Sequence, residues 1–89
     1  MFIIVTYDIK FKTNREKIEN IFLHYGMRKI QENTFIANNI EVINLKKDIN
    51  EFIKETDSVL LIPICKSCYN KKEVLGKELK FKEDLYRIF

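Results

Sequence analysis

Asp8 closes the first apolar run of the chain, Met1-Phe-Ile-Ile-Val-Thr-Tyr-Asp8. A carboxylate ending such a run belongs at the rim of a sheet, where loops and ligands gather. One carboxylate neither holds Mg2+ firmly nor runs acid–base chemistry, because hard divalent cations want several oxygens. A twofold axis near the end of this strand would bring Asp8 beside its mate. The two carboxylates could then share one Mg2+ (or Mn2+) and activate a water for phosphodiester attack. The plainer alternative is that Asp8 only caps the loop leading to Thr13.

Close to Asp8 in sequence lies a basic knot, Lys10, Lys12, Arg15 and Lys17, opposed only by Glu16. Asn14, Arg15 and Lys17 open a helix, and a helix N-terminus with free amides beside an Arg suits phosphate. The competing reading pairs Arg15 with Glu19 at i+4 on an exposed first turn. Arg28 and Lys29 are secondary candidates for phosphate contact. By segment, residues 1–65 carry nine Lys/Arg against nine Asp/Glu, and residues 66–89 carry seven against four. The net charge of +3 therefore resides in the last stretch. A solvated Lys-rich face accounts for that excess as well as a phosphate-bearing partner does.

Cys65-Lys-Ser-Cys68 is the other chemically suggestive spacing. A structural zinc site wants four N/S ligands and one CxxC supplies two, with the lone His24 on the first helix. A redox CxxC would open a helix, whereas this one closes a strand, so two free thiols are expected. His24 has no Ser or Cys partner and no Gly-rich phosphate loop exists, which excludes triad hydrolases, P-loop enzymes and dinucleotide folds. Phe2, Phe22, Phe35 and Phe52 fall on core-facing stretches, so packing is a better reading than base stacking.

The elements that must position these groups follow from periodicity. The continuous apolar run to Asp8 suits a central strand. Thr13-Asn-Arg-Glu16 is a capping box, and Ile18, Ile21, Phe22 and Tyr25 recur at helical spacing. Gly26 stands where a left-handed C-cap is wanted, so the first helix is expected from about Asn14 to Tyr25. Arg28 to Ala37 is β-like, with Glu32-Asn33 as either a tight turn or a bulge. Asn38-Asn39 offers an N-cap for a second stripe, Val42, Leu45, Ile49, Phe52 and Ile53, running to about Glu55. Val59-Leu-Leu-Ile-Pro-Ile-Cys65 is a second apolar strand, and Pro63 places it near an edge or at a bulge.

The order β-α-β-β-α-β is the ferredoxin-like split arrangement, an α+β fold. Residues 1–66 form that domain, and residues 67–89 are a C-terminal strand extension. The extension's β-capable pieces, Glu73-Val-Leu-Gly76 and Asp84-Leu-Tyr-Arg-Ile-Phe89, have no helix to cover them. A partner subunit's sheet edge is an economical dock, which predicts strands exchanged in a homodimer.

At 89 residues and 46% hydrophobic content the chain is one domain with a thin core, and such domains often gain stability by pairing. Two Gly and one Pro exclude collagen-like and low-complexity classes. No apolar run approaches the ~20 residues that span a bilayer, and the opening run is too short for a signal-peptide core. A cytoplasmic protein without membrane contact is expected.

Taken in order, these pieces resemble the CRISPR-associated protein two family, the small partner of the CRISPR integrase. Ile4-Val-Thr-Tyr-Asp8-Ile is similar to its first strand with the acidic end. Gly26-Met-Arg-Lys-Ile-Gln31 is similar to the start of its second strand, and Asp57-Ser-Val59 with Pro63-Ile-Cys65 to its fourth. Val74-Leu-Gly76 is similar to the strand after that. The family's Ser-Val-Phe-Glu-Gly segment is replaced by Asn33-Thr-Phe-Ile-Ala37, which keeps only Phe35 and the β character. The usual Pro soon after the Asp is absent too, and fewer basic residues stand at helix one. The resemblance implies a homodimer placed between integrase dimers in spacer acquisition, with duplex DNA across its basic surface. It also implies metal-dependent cleavage of RNA or DNA through Asp8. A ribonuclease toxin of a toxin–antitoxin pair, built on a similar dimer, is the competing function.

Overall fold

The computed structural model of the protein describes residues 1–77 and Leu79. Its first strand, β1 (Phe2–Asp8), leads through a short loop to helix α1 (Lys12–His24). A hairpin of β2 (Arg28–Gln31) and β3 (Thr34–Asn38) follows, then helix α2 (Val42–Asn50). Strand β4 (Ser58–Ile64) and a short helix α3 (Lys66–Asn70) complete the described elements. The strands form one antiparallel sheet in the order β2-β3-β1-β4, the α+β ferredoxin-like arrangement expected from the pattern. β1 is central, which its unbroken apolar run requires. Among the described residues β4 is an edge strand, where Pro63 withdraws no needed amide from the ladder.

Alternation along β1 decides which side chains meet the helices. Ile3, Val5 and Tyr7 join Ile18 and Phe22 of α1, Phe35 and Ala37 of β3, and Leu45 and Ile49 of α2 in the main core. Tyr7, Phe22 and Phe35 pack as tilted rings with centroids 5.0 to 6.2 Å apart. The alternate residues face the other way. There Phe2, Ile30, Ile36 and Tyr69 form a second, smaller cluster with Ile4 and Ile64 against it. Tyr69 of α3 stacks on Phe2 at 3.9 Å and covers one end of this face. Leu60 and Ile62, cross-strand from Thr6 and Ile4, extend it without cover among the described residues and are 55% and 39% exposed.

The helix ends depart from the local motifs in instructive ways. α1 begins at Lys12 with Phe11 at the N-cap and no side-chain cap, so Thr13 lies inside the helix and its capping box does not form. The loop is drawn up by tertiary contacts instead: the Lys10 amide donates to Asp57 (2.8 Å) and the Arg15 guanidinium to the Ile9 carbonyl (2.9 Å). At the other end Gly26, at φ +80°, closes a full Schellman motif. Its amide donates to the Leu23 carbonyl (2.9 Å) and that of Met27 to the Phe22 carbonyl (3.1 Å).

Asn39 does not cap α2, whose N-cap is Glu41. It sits at φ +57° and its side chain accepts from the N-terminal ammonium at 3.0 Å, tying β3 to the start of β1. α2 ends at Asn50 rather than Glu55, although Phe52 and Ile53 still pack on the main core. Between β2 and β3 both devices occur. Glu32-Asn33 turns the chain with Asn33 at φ +62°, and a bulge shifts the register between Lys29 and Gln31.

After α3 the chain from Lys71 to Lys77 forms no strand, and Leu75 is 91% exposed. The segment Asp84 to Phe89 lies outside the described residues. Among the described residues no helix is long and apolar enough to cross a membrane.

Candidate functional site

Asp8 stands at the last position of β1, opposite Ser58 at the first position of β4. By alternation it shares the sheet face of Phe2, Ile4 and Thr6, the face α1 and α2 do not cover. Its carboxylate is 68% exposed and accepts from the Lys10 ammonium at 3.0 Å. The terminal carboxylate is thus solvated, presented at one end of an apolar surface left largely uncovered among the described residues, and partly neutralised by its own loop.

Asp57, which by sequence alone is an ordinary turn residue, organises the surroundings. Its two oxygens accept from the Lys10 amide at 2.8 Å and the Lys54 amide at 2.9 Å. These amide bonds, first that of Lys10 and then that of Lys54, hold its carboxyl below the ordinary aspartate range. It therefore stays ionised and pins the β1–α1 loop to the turn before β4. The sequence offers no signal that separates this clamp from an ordinary turn before a strand.

The loop and the first turn of α1 carry most of the expected phosphate contacts. Lys12 is exposed and reaches Glu16 only at 3.9 Å. Asn14 and Arg15 are half-buried on the same turn, and Arg15 donates to Ile9 rather than pairing with Glu19. Lys17 turns toward α2 and lies over the Phe52 ring at 5.4 Å. Glu19 instead takes the Tyr7 hydroxyl and, at 3.9 Å, the Lys29 ammonium. Burial, followed by the Glu19 hydrogen bond, raises the Tyr7 phenol far above its usual range, so it remains a neutral donor.

Arg28 and Lys29 are two strands away from β1 and point to opposite faces. Lys29 pairs with Phe35 and joins the helix side at Glu19, whereas Arg28 pairs with Ile36 and borders the cleft lined by Phe2 and Tyr69. The structure therefore gathers Asp8, Lys10, Lys12, Asn14 and Arg15 at one end of the sheet. It leaves Lys17, Arg28 and Lys29 elsewhere.

As to metal, among the described residues no three His, Cys, Asp or Glu side chains cluster as ligands. A single chain offers one carboxylate at Asp8, far short of the oxygens a hard cation takes. That donor set falls short of what Mg2+ takes unless a further carboxylate is supplied from outside the single chain.

The sequence and the fold both have matches among known proteins. The family model described as CRISPR associated protein Cas2 matches residues 1–72. A protein of Methanospirillum hungatei named CRISPR-associated endoribonuclease Cas2 1 is 25% identical over 83 residues, 86% of this chain and 84% of its own. Two crystal structures share the fold. A hypothetical protein, TT1823, from Thermus thermophilus superposes with a TM-score of 0.73 at 24% identity, covering 85% of this chain and 90% of that one. Cas2 of Streptococcus pyogenes superposes with a TM-score of 0.66 at 20% identity, covering 85% and 100%.

Proposed function

Because the chain belongs to the CRISPR-associated Cas2 family, we propose that it is a homodimeric nucleic-acid-binding protein of CRISPR spacer acquisition. In this reading it bridges the integrase and duplex DNA, and cleaves phosphodiesters through paired Asp8 residues with Mg2+. The observation that carries this reading is the position of Asp8 at one end of an apolar sheet face that, among the described residues, lies mostly uncovered. A second copy laid on that face would bury Leu60 and Ile62 and bring a second acidic strand end close to the first.

Each group then has a task its surroundings support. Asp8 and the partner's Asp8 would hold Mg2+, which supplies charge neutralisation and an activated water when bound. Lys10 lies against Asp8 and can transfer its charge to a phosphate when the carboxylate is otherwise engaged. Lys12, with only a long and exposed contact to Glu16, is free to follow the backbone. Arg15 holds the loop through the Ile9 carbonyl and so positions Lys10 and Lys12. The name of the Methanospirillum relative favours RNA as the cleaved polymer, while the scaffold role needs only phosphate contacts, which do not read sequence.

Asp8→Asn is the test, read on purified protein with single-stranded RNA and duplex DNA, in Mg2+ and in EDTA. Cleavage should be lost while duplex binding is kept or strengthened, since Lys10 is released from its ion pair. Capture of the integrase should be equal for both proteins. Cleavage unchanged by Asp8→Asn would sink the catalytic assignment, and failure of both proteins to capture the integrase would sink the acquisition role.

A further inference from the structure

The CxxC pair has no part in phosphate chemistry, and its setting differs from the one its sequence suggests. β4 stops at Ile64, and Cys65 is the N-cap of α3, so the pair both closes a strand and opens a helix. Cys68 lies three residues on, across the first helical turn, where side chains are neighbours. That spacing is close to the separation a disulfide requires.

Both cysteines are free and exposed. The Cys65 sulfur accepts hydrogen bonds from the Cys68 amide and thiol and from the Ser67 amide, which lower its thiol below the ordinary range. The same thiol–thiol bond, then the charge on Cys65, raises Cys68. Lys66, Lys71 and Lys72 keep the segment basic against a single Glu73. One sulfur is thus the better nucleophile, and the other is held against it as the resolving thiol. Zinc is a poorer occupant, since among the described residues no third ligand joins the two thiols.

We propose that Cys65 and Cys68 form a redox site that closes to an intramolecular disulfide by exchange with a small-molecule disulfide of the glutathione class. The Cys65 thiolate attacks one sulfur of the oxidised compound, forming a mixed disulfide and expelling one thiolate, which takes up a proton. The Cys68 thiolate then attacks the Cys65 sulfur, closing the protein disulfide and expelling the second thiolate, which is likewise protonated. Two electrons pass from the protein dithiol to the small molecule, two thiols leave, and the reverse sequence restores the pair.

The test equilibrates the full chain with mixtures of reduced and oxidised glutathione, traps free thiols by alkylation, and reads intact mass and oligomeric state. Both thiols should disappear together, with no glutathione retained and no covalent dimer. Cys68→Ser should retain one glutathione on Cys65, because the thiol that would resolve the mixed disulfide is gone. Wild-type protein that stays reduced, keeps bound glutathione, or links only between chains would overturn the proposal. So would a Cys68→Ser variant that retains no glutathione.

Discussion

The sheet face opposite α1 and α2 gives the most direct way to separate folding from assembly. Leu60 and Ile62 lie on it and are 55% and 39% exposed in the single chain. Fully burying a Leu or Ile side chain is worth about 1.5–3 kcal/mol. Covering the exposed fractions of both residues should therefore contribute about 1.4–2.8 kcal/mol per chain. A symmetric dimer counts that twice, or about 3–6 kcal/mol. At about 1.4 kcal/mol per decade, the double variant Leu60→Ser with Ile62→Ser should raise the dimer dissociation constant by about 10²–10⁴. The fold should suffer far less, because these side chains contribute little to the two described cores. Sedimentation equilibrium reads the first quantity and thermal unfolding the second. The variant should be a folded monomer, and it should lose Asp8-dependent cleavage with its partner. An undiminished dimer would refute the face as the interface. A variant unfolded at every concentration would show that Leu60 and Ile62 support the fold of the single chain instead.

Other perturbations test the loop, the helix end and the shared metal site. Asp57 has its carboxyl held low by the Lys10 and Lys54 amides, so its stabilisation is present above the unfolded value near about 4 and is lost as pH falls through the folded one. Acid titration followed by circular dichroism should therefore show Asp57→Asn with reduced stability at neutral pH and a shallower loss below pH ~4. Gly26 holds φ +80°, although nothing lies within 4 Å of where a Cβ would stand. Gly26→Ala should cost about 1–2 kcal/mol by denaturant unfolding, and Gly26→Asn should cost less. Two Asp8 carboxylates brought together repel one another, so Mg2+ should tighten the dimer measurably by sedimentation. EDTA should reverse that effect, and Asp8→Asn should abolish the dependence.

What the sequence discloses here tracks how local the controlling interaction is. β1, the stripe of α1 and the Gly26 stop are set by runs and spacings within a few residues, and each appears where the pattern places it, whereas α2 keeps Val42, Leu45 and Ile49 of its stripe and ends before Phe52 and Ile53. The starts of both helices depart from the pattern because distant groups control them. Asp57 is 47 residues from the Lys10 amide it captures, and Met1 is 38 residues from Asn39. A local capping motif such as Thr13 to Glu16 is worth about 1 kcal/mol, and one long-range tether, Lys10 to Asp57, with the shorter-range Arg15 to Ile9 bond beside it, overrides it. Asp8 is legible because it interrupts an apolar run. Asp57 is not, since an Asp before a strand looks the same whether it ends a turn or clamps a second loop.

Under the proposed function, the arrangement would leave the chemistry incomplete in one chain. Helices on one face bury Val5, Ile18, Phe22 and Leu45 completely, which is enough to fold a domain of this size. Among the described residues the other face receives only Tyr69 near Phe2, and its opposite end is left to Leu60, Ile62 and Asp8. In the proposed dimer, apolar exposure would draw a second copy toward that face, while the carboxylate at its margin would make close approach costly unless a cation or phosphate-bound lysine offset the charge. Assembly and ligand binding would then be coupled through Asp8. A catalytic carboxylate on the helix side would gain nothing from pairing, whereas on this side it would be one half of the proposed shared site.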